Sequence, residues 1–331
     1  MAESTDTGAA REVVIVSFNA RHHHADASKI VDEALSGLDG VPGWWATVPR
    51  RNAASHLPSN FAIVTLRLTL PLQRMHALRA LTRHAAVQSL APERRYQLPA
   101  LDPPSQSTEA SSPLCTNCSR GRREAEVCPA ADPTARRPLF TARKTTAGNS
   151  APPPAPAPQV SARLHAEALW RLGYTGKGVR VAVFDTGLGS DLPQLGNVEE
   201  RTNWSDEEDS DDKVGHGTFV ASVIGSRSGC LGLAPDATLH IFKVFNSKQV
   251  SYTSWFLDAF DYALHRGVHV LNLSIGGPDY SDGPFMRKVD EVAAANVIIV
   301  SGIGNSGPLW GAHEECMRRA WGVREACMRR T

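Results

Sequence analysis

Residues 179–185 read VRVAVFD, and Thr186-Gly187 follow. Val181, Ala182, Val183 and Phe184 form an unbroken apolar run that stops at a carboxylate. A run of this length predicts a strand buried on both faces, as in a parallel sheet. Gly187 permits a sharp turn directly after it. Open α/β sheets bind their ligands beyond the carboxyl ends of the strands, so Asp185 stands where chemistry is expected. The competing reading is an aspartate that only organises the next turn.

Outward from this stretch the pattern alternates. A short helix is predicted over 163–172, and LHIFKVF (239–245) reads as a second strand. Thr253 or Ser254 is expected to cap a helix whose apolar face is Trp255, Phe256, Ala259, Phe260, Ala263 and Leu264. VHVLNLSI (268–275) is a third strand ending at Gly276-Gly277. A helix over 285–295 and the strand VIIVS (297–301) follow. Strands alternating with helices predict an α/β fold with a doubly wound, mainly parallel sheet. After Pro308 the pattern stops. The tail repeats ECMRR (315–319) loosely as EACMRR (325–330) and reads as foreign to the fold.

Residues 11–98 read as a smaller α+β unit. Strands at 13–18, 44–48 and 61–68, helices at 28–38 and 71–87, and a weak last strand in SLAPERRYQL give the ferredoxin-like order β-α-β-β-α-β. His22, His23 and His24 are neighbours in sequence, point different ways, and read as a solvated loop. Residues 99–160 are rich in Pro, Ala, Ser and Thr and include APPPAPAP (151–158). They predict a disordered linker. Cys115-x-x-Cys118 with Cys128 lacks a fourth ligand at zinc spacing. The expected division is therefore 11–98, a linker over 99–160, an α/β domain over 161–309 and a tail over 310–331.

A net charge of +1 with 21% charged residues gives no electrostatic footprint for nucleic acid. The N-terminus has no signal-peptide pattern, and no apolar stretch approaches the ~18 residues of a membrane span. Six cysteines are too few and too scattered for a disulfide framework.

Two further stretches carry chemistry. In VGHGTFVASVIG (214–225), Phe219, Val220, Val223 and Ile224 predict a helical stripe with His216 at its start. The positive end of a helix dipole favours neutral imidazole, the form a general base needs. In VIIVSGIGNSGP (297–308), Asn305 follows a strand in a Gly-rich turn, where its amide could donate to an oxyanion. Gly302-x-Gly304-x-x-Gly307 also fits a dinucleotide fingerprint, but no helix and strand follow it, so a nucleotide-binding protein is the weaker alternative.

Asp185-Thr186-Gly187, His216-Gly217-Thr218-Phe219-Val220-Ala221, Ser274-Ile275-Gly276-Gly277 and Gly304-Asn305-x-Gly307, in that order, resemble the motifs of the subtilisin-like serine proteases (subtilases, peptidase family S8). The resemblance is strongest over 160–309, and 11–98 looks like the inhibitory prodomain of a secretory-pathway branch of that family. It implies Asp185 and His216 as catalytic residues, Asn305 as the oxyanion donor, and Ser274, Ile275, Gly276 and Gly277 as the strand that pairs with substrate. It implies protein substrates, namely membrane-anchored precursors, and a Golgi or endoplasmic reticulum lumen setting. It also suggests autoprocessing after Phe140, with Arg137 and Leu139 before the cut. Other subtilases bind calcium in loops comparable to Asp206–Asp212, although no ligands can be assigned here, and that loop otherwise reads as solvated.

The family's nucleophile lies in a Gly-Thr-Ser motif, which these 331 residues do not contain. An incomplete sheet, an inactive chain and poor solubility are therefore expected. A pseudoprotease that binds without cutting is the alternative.

Overall fold

The computed structural model describes residues 10–38, 44–68, 70–98, 160–274 and 281–302. Two sheets organise them. The first is formed by β1 (Ala10–His22), β2 (Trp45–Thr47), β3 (Ser59–Leu68) and β4 (Val87–Pro92), with helices α1 (His24–Leu35) and α2 (Pro71–Arg83). Strand order is β2-β3-β1-β4, with every pairing antiparallel. This is the β-α-β-β-α-β order expected from the sequence. One sheet face buries Val14, Val16, Val64 and Leu66 against Val31 and Leu35 of α1 and Leu81 of α2.

The second sheet is parallel throughout. Beyond the short helices α3 (Val160–Arg163) and α4 (Ala166–Arg171) come β6 (Arg180–Asp185), β7 (Val198–Asn203), helix α5 (His216–Gly225) and β8 (Thr238–Lys243). Then follow β9 (Val250–Tyr252), helix α6 (Thr253–His265), β10 (Val270–Leu273), helix α7 (Gly283–Ala294) and β11 (Ile298–Ser301). Strand order is β11-β10-β6-β8-β7. From β6 the chain first builds one flank, β7 and β8, and then crosses to the other, β10 and β11. That reversal opens a crevice at the carboxyl end of β6.

The apolar run in β6 is explained by its two neighbours. Val181 and Val183 pack with Leu239, Ile241 and Ala221 on the α5 face. Ala182 and Phe184 pack with Phe242 and with Phe256 and Phe260 of α6 on the other. Each of these aromatic side chains is fully buried. Burial at this level contributes about 1.5–3 kcal/mol per side chain.

The first unit lies on α6 and α7. Ile15 and Phe61, on the outer face of its sheet, pack against Leu257. A fifth strand, β5 (Arg95–Gln97), leaves the unit and pairs antiparallel with β9. The next residue, Leu98, is buried in the core of the second unit. Charged groups close the seam. Arg50 Nε is 2.7 Å from Asp258, and Lys288 Nζ is 2.8 Å from Asp261 and donates to Asn60 at 2.9 Å.

Several local expectations are corrected. The predicted helix at 163–172 is two short helices, broken at His165, whose φ is +56°. Neither Thr253 nor Ser254 caps α6: Tyr252 is the N-cap, Thr253 donates to Asp282 Oδ2 at 2.6 Å and Ser254 bonds to Glu93. The buried face of α5 is Gly217, Ala221 and Gly225, while Phe219 is exposed. Small residues serve there because a Cβ at 217 would strike the turn after β6 and one at 225 would strike the side chains of Asn197 and Leu239. Residues 99–159 and 303–331 fall outside the described residues, and with them the linker, the Cys115–Cys118 pair and the tail.

Candidate functional site

Asp185 is the last residue of β6 and is fully buried. Its Oδ1 accepts from the Thr186 amide at 2.8 Å and lies 2.6 Å from His216 Nδ1. The two residues are brought together by backbone proximity. Gly187 has φ +109° and lies so close to the acidic loop that a Cβ would meet Ser210 O at 2.5 Å. A Cβ on Gly217 would fall well inside contact distance of the Gly187 carbonyl and 3.2 Å from Asp185 Cβ. Glycine at 217 therefore lets the first turn of α5 rest on the turn after β6, which sets His216 beside Asp185.

An ionised carboxylate only accepts, so Nδ1 of His216 carries the proton and Nε2 is the free acceptor in the neutral ring. The pKa of His216 is raised. The hydrogen bond to Asp185 is the main cause, burial opposes it, and the charges of Asp185 and Asp212 add to it. This reverses the expectation from the helix dipole alone. A charge-assisted hydrogen bond to a buried carboxylate outweighs a partial charge of about one half at the helix end. Asp185 Oδ2 is buried and has no hydrogen-bond partner among the described residues.

The sequence reading missed several residues around this pair. Asp212 Oδ1 accepts from Thr186 Oγ1 (2.8 Å) and from the amides of Gly215 (2.8 Å) and Val214 (3.0 Å). Its Oδ2 accepts from the amide (2.8 Å) and hydroxyl (2.6 Å) of Thr218. Burial would push the Asp212 carboxyl up, but these donors hold it below its ordinary value. Lys243, at the end of β8 opposite Asp185, is fully buried. Its Nζ donates to Thr186 O (3.0 Å) and Asp211 O (2.6 Å) and lies 3.1 Å from Glu207 Oε2. The signal for Asp212 was its spacing before an expected helix N-terminus; nothing in the sequence pointed to Lys243.

These contacts also bear on calcium. Asp211 O and Glu207 Oε2 of the acidic loop already face the Lys243 ammonium group, Asp212 is taken up by Thr186 and the start of α5, and among the described residues no cluster of three His, Cys, Asp or Glu could hold a metal ion. Calcium requires six to eight oxygens, so the loop does not fit it here. The loop is also less solvated than expected, because Asp212 and Glu207 are tied into the fold.

Ser274 follows β10, one position past the residue paired with Phe184, and therefore sits at the same end of the sheet as Asp185. Its Oγ accepts from Asn272 at 3.0 Å. Ile275, Gly276, Gly277, Asn305, Arg137, Leu139 and Phe140 lie outside the described residues. Cys230 is disulfide-bonded. No helix among the described residues is long and apolar enough to cross a membrane.

A doubly wound parallel sheet with an Asp–His pair at its carboxyl end, preceded by a small antiparallel unit, fits the hydrolase family that the sequence motifs resemble. Residues 176–319 match the subtilase family and form a domain of it. The N-terminal unit narrows the kinship: residues 10–94 match the N-terminal domain of the membrane-bound site-1 protease family. The chain is similar to membrane-bound transcription factor site-1 protease of Homo sapiens, with 42% identity over 90% of this chain and 27% of that protein. Subtilisin-like protease SBT6.1 of Arabidopsis thaliana is 55% identical over 46% of this chain and 15% of its own length. Subtilisin E of Bacillus subtilis is 34% identical over 44% of this chain and 39% of its own length. The chain thus spans about a quarter of the length of the human site-1 protease.

Proposed function

We propose that this chain carries the acid–base half of a serine endopeptidase site of the site-1 protease type, acting on membrane-anchored protein precursors in the lumen of the secretory pathway. The observation that carries this reading is the 2.6 Å contact between Asp185 Oδ1 and His216 Nδ1 at the rim of the parallel sheet. In this chemistry His216 Nε2 takes the proton from a nucleophilic hydroxyl and returns it to the leaving amine. Asp185 fixes the tautomer and stabilises the imidazolium. Asn305 donates to the oxyanion, and Ser274–Gly277 pairs with the substrate backbone as an added strand. Residues 11–98 act as the inhibitory prodomain, a reading supported by the β5–β9 pairing. Autoprocessing after Phe140 belongs to the same proposal. So does the division into 11–98, 99–160, 161–309 and 310–331.

The test is hydrolysis of a fluorogenic peptide with Arg at the fourth and Leu at the second position before the cut, by the protein purified from its own cells. Hydrolysis at the wild-type rate after Asp185→Asn or His216→Ala refutes the reading.

The second reading is a binding module that has kept the fold without the chemistry. A fluorophosphonate probe separates the two. On the first reading, a polypeptide of these residues alone has only residual activity and takes up no label, whereas the cell-derived enzyme is labelled at one serine. On the second, neither is labelled.

A further inference from the structure

Asp212 makes five hydrogen bonds, and the pattern of its partners is informative. Three of them, the amides of Gly215 and Thr218 and the hydroxyl of Thr218, belong to the start of α5. Another is Thr186 Oγ1, on the turn that leaves Asp185. Each threonine then bonds back to the opposite motif. Thr186 Oγ1 accepts from the Gly217 amide at 2.9 Å, and Thr218 Oγ1 accepts from the Gly189 amide at 2.9 Å. One carboxylate therefore clamps the turn 186–189 to the first turn of the helix that carries His216. A cap that only ended α5 would need the helix donors and would not need Thr186.

We propose that Asp212 is a positioning residue of this site: its carboxylate joins the aspartate turn to the histidine helix and so fixes the hydrogen bond between Asp185 Oδ1 and His216 Nδ1. The proposal rests on reading Asp185 and His216 as an acid–base pair. Its geometric basis is rigidity. Asp185 and His216 come from elements 31 residues apart, and packing at Gly217, the backbone pairing of Leu188 with the 210–212 stretch, the Lys243 bridge and this clamp hold them in register. A second contribution is charge, because Asp212 adds to the negative potential at the imidazole. The other charged groups around the turn are Lys243 from β8, bound to Thr186 O and Asp211 O, Glu207 beside it, Lys213 on the loop, and Arg201 from β7, which donates to Asp211 Oδ1 at 2.8 Å. Among the described residues none of these hydrogen-bonds to His216.

The test uses the full 331-residue chain and proton NMR of His216, which needs no nucleophile. The wild type is expected to show a low-field Nδ1 proton, assigned by its loss in Asp185→Asn, and an imidazole titration above the ordinary value. In Asp212→Asn the low-field signal is expected to be lost to solvent exchange and the titration midpoint to move down. Thr186→Val removes the bridge to Asp212 together with the hydroxyl's contacts to the Gly217 amide and Asp185 Oδ1, leaves the Asp212 charge and its bonds to Gly215 and Thr218 in place, and is expected to broaden the same signal. Thr186→Val also decides the matter if Asp212→Asn does not fold. Wild-type signal and midpoint in both variants, with only the melting temperature lowered, would mark Asp212 as a helix cap and overturn the proposal. So would an effect confined to Asp212→Asn, which would be charge without positioning. A wild-type chain that lacks the low-field proton, or keeps it in Asp185→Asn, instead overturns the acid–base reading itself.

Discussion

Gly217→Ala is the sharpest single perturbation of this structure. The new methyl would lie inside contact distance of the Gly187 carbonyl oxygen, 3.0 Å from Gly187 N and 3.2 Å from Asp185 Cβ. Two of these three are backbone atoms and cannot swing aside. Close-packed interiors have no slack to absorb a methyl, so the start of α5 must move outward by roughly 1 Å. Overpacking of this kind costs about 1–3 kcal/mol, and an unyielding backbone argues for the upper end. Alanine for glycine in a helix returns about 1 kcal/mol. The net loss is then about 2 kcal/mol, or about 4–8 °C in melting temperature at 2–4 °C per kcal/mol. The same displacement carries His216 away from Asp185, and a misplacement of about 1 Å can cost about 100-fold in rate. Thermal melts and kcat/KM on the fluorogenic peptide should therefore fall together. A variant that melts at or above the wild type with unchanged kcat/KM would refute the claim that backbone proximity at this glycine aligns the pair.

The remaining predictions concern charge. Hydrolysis needs His216 neutral, and its pKa is raised by the hydrogen bond to Asp185, so the rising limb of kcat/KM against pH should lie above the ordinary imidazole value. A limb at or below that value contradicts the bond. Arg50 is nearly buried beside Asp258 and Asp261, with its guanidinium 4.6 Å from the centre of the Phe61 ring. Arg50→Met should cost about 3–5 kcal/mol in denaturant unfolding by leaving two buried carboxylates underpaired. Burial pushes the Glu207 carboxyl up, but donors from Ser247 and Lys243 outweigh it and hold the pKa at about 2. A depressed carboxylate stabilises the fold above its unfolded value and loses that contribution as the pH falls toward about 2. Glu207→Gln should therefore flatten the acid limb of stability, measured by denaturant titration at several pH values.

The sequence made the site legible where a pattern and a chemical group coincided. The apolar run before Asp185 and the glycines around His216 placed both residues at the ends of elements. What escaped was long-range or half-polar. β7 carries Glu199, Glu200 and Arg201 in a strand at the sheet edge, so no apolar alternation marks it. Glu200 is there because it receives His240 Nδ1, Tyr262 and Arg266 from other elements. β5 falls within SLAPERRYQL, read as one weak last strand, which the structure divides between β4 and β5; β9, its three-residue partner, exists through backbone pairing that no local pattern encodes. The sign of the His216 shift was missed for the same kind of reason. The helix end is a local feature, whereas Asp185 comes from a distant strand. The apolar character of Phe219 places it on the buried stripe, but the fully buried positions of α5 are Gly217, Ala221 and Gly225, with Val220 and Ile224 partly buried against the core.

The insertion of Leu98 has a mechanical consequence. Because this residue and Ala54 belong to the same buried cluster as Phe256, Phe260 and Val289, the larger unit borrows part of its interior from the smaller one. The contacts of Leu98 and Ala54 in this cluster are non-covalent, so they outlast a break in the covalent connection between residues 98 and 160. The two pieces would then part at a rate governed by how quickly the shared interior can be wetted, so that scission and separation become independent events on independent clocks.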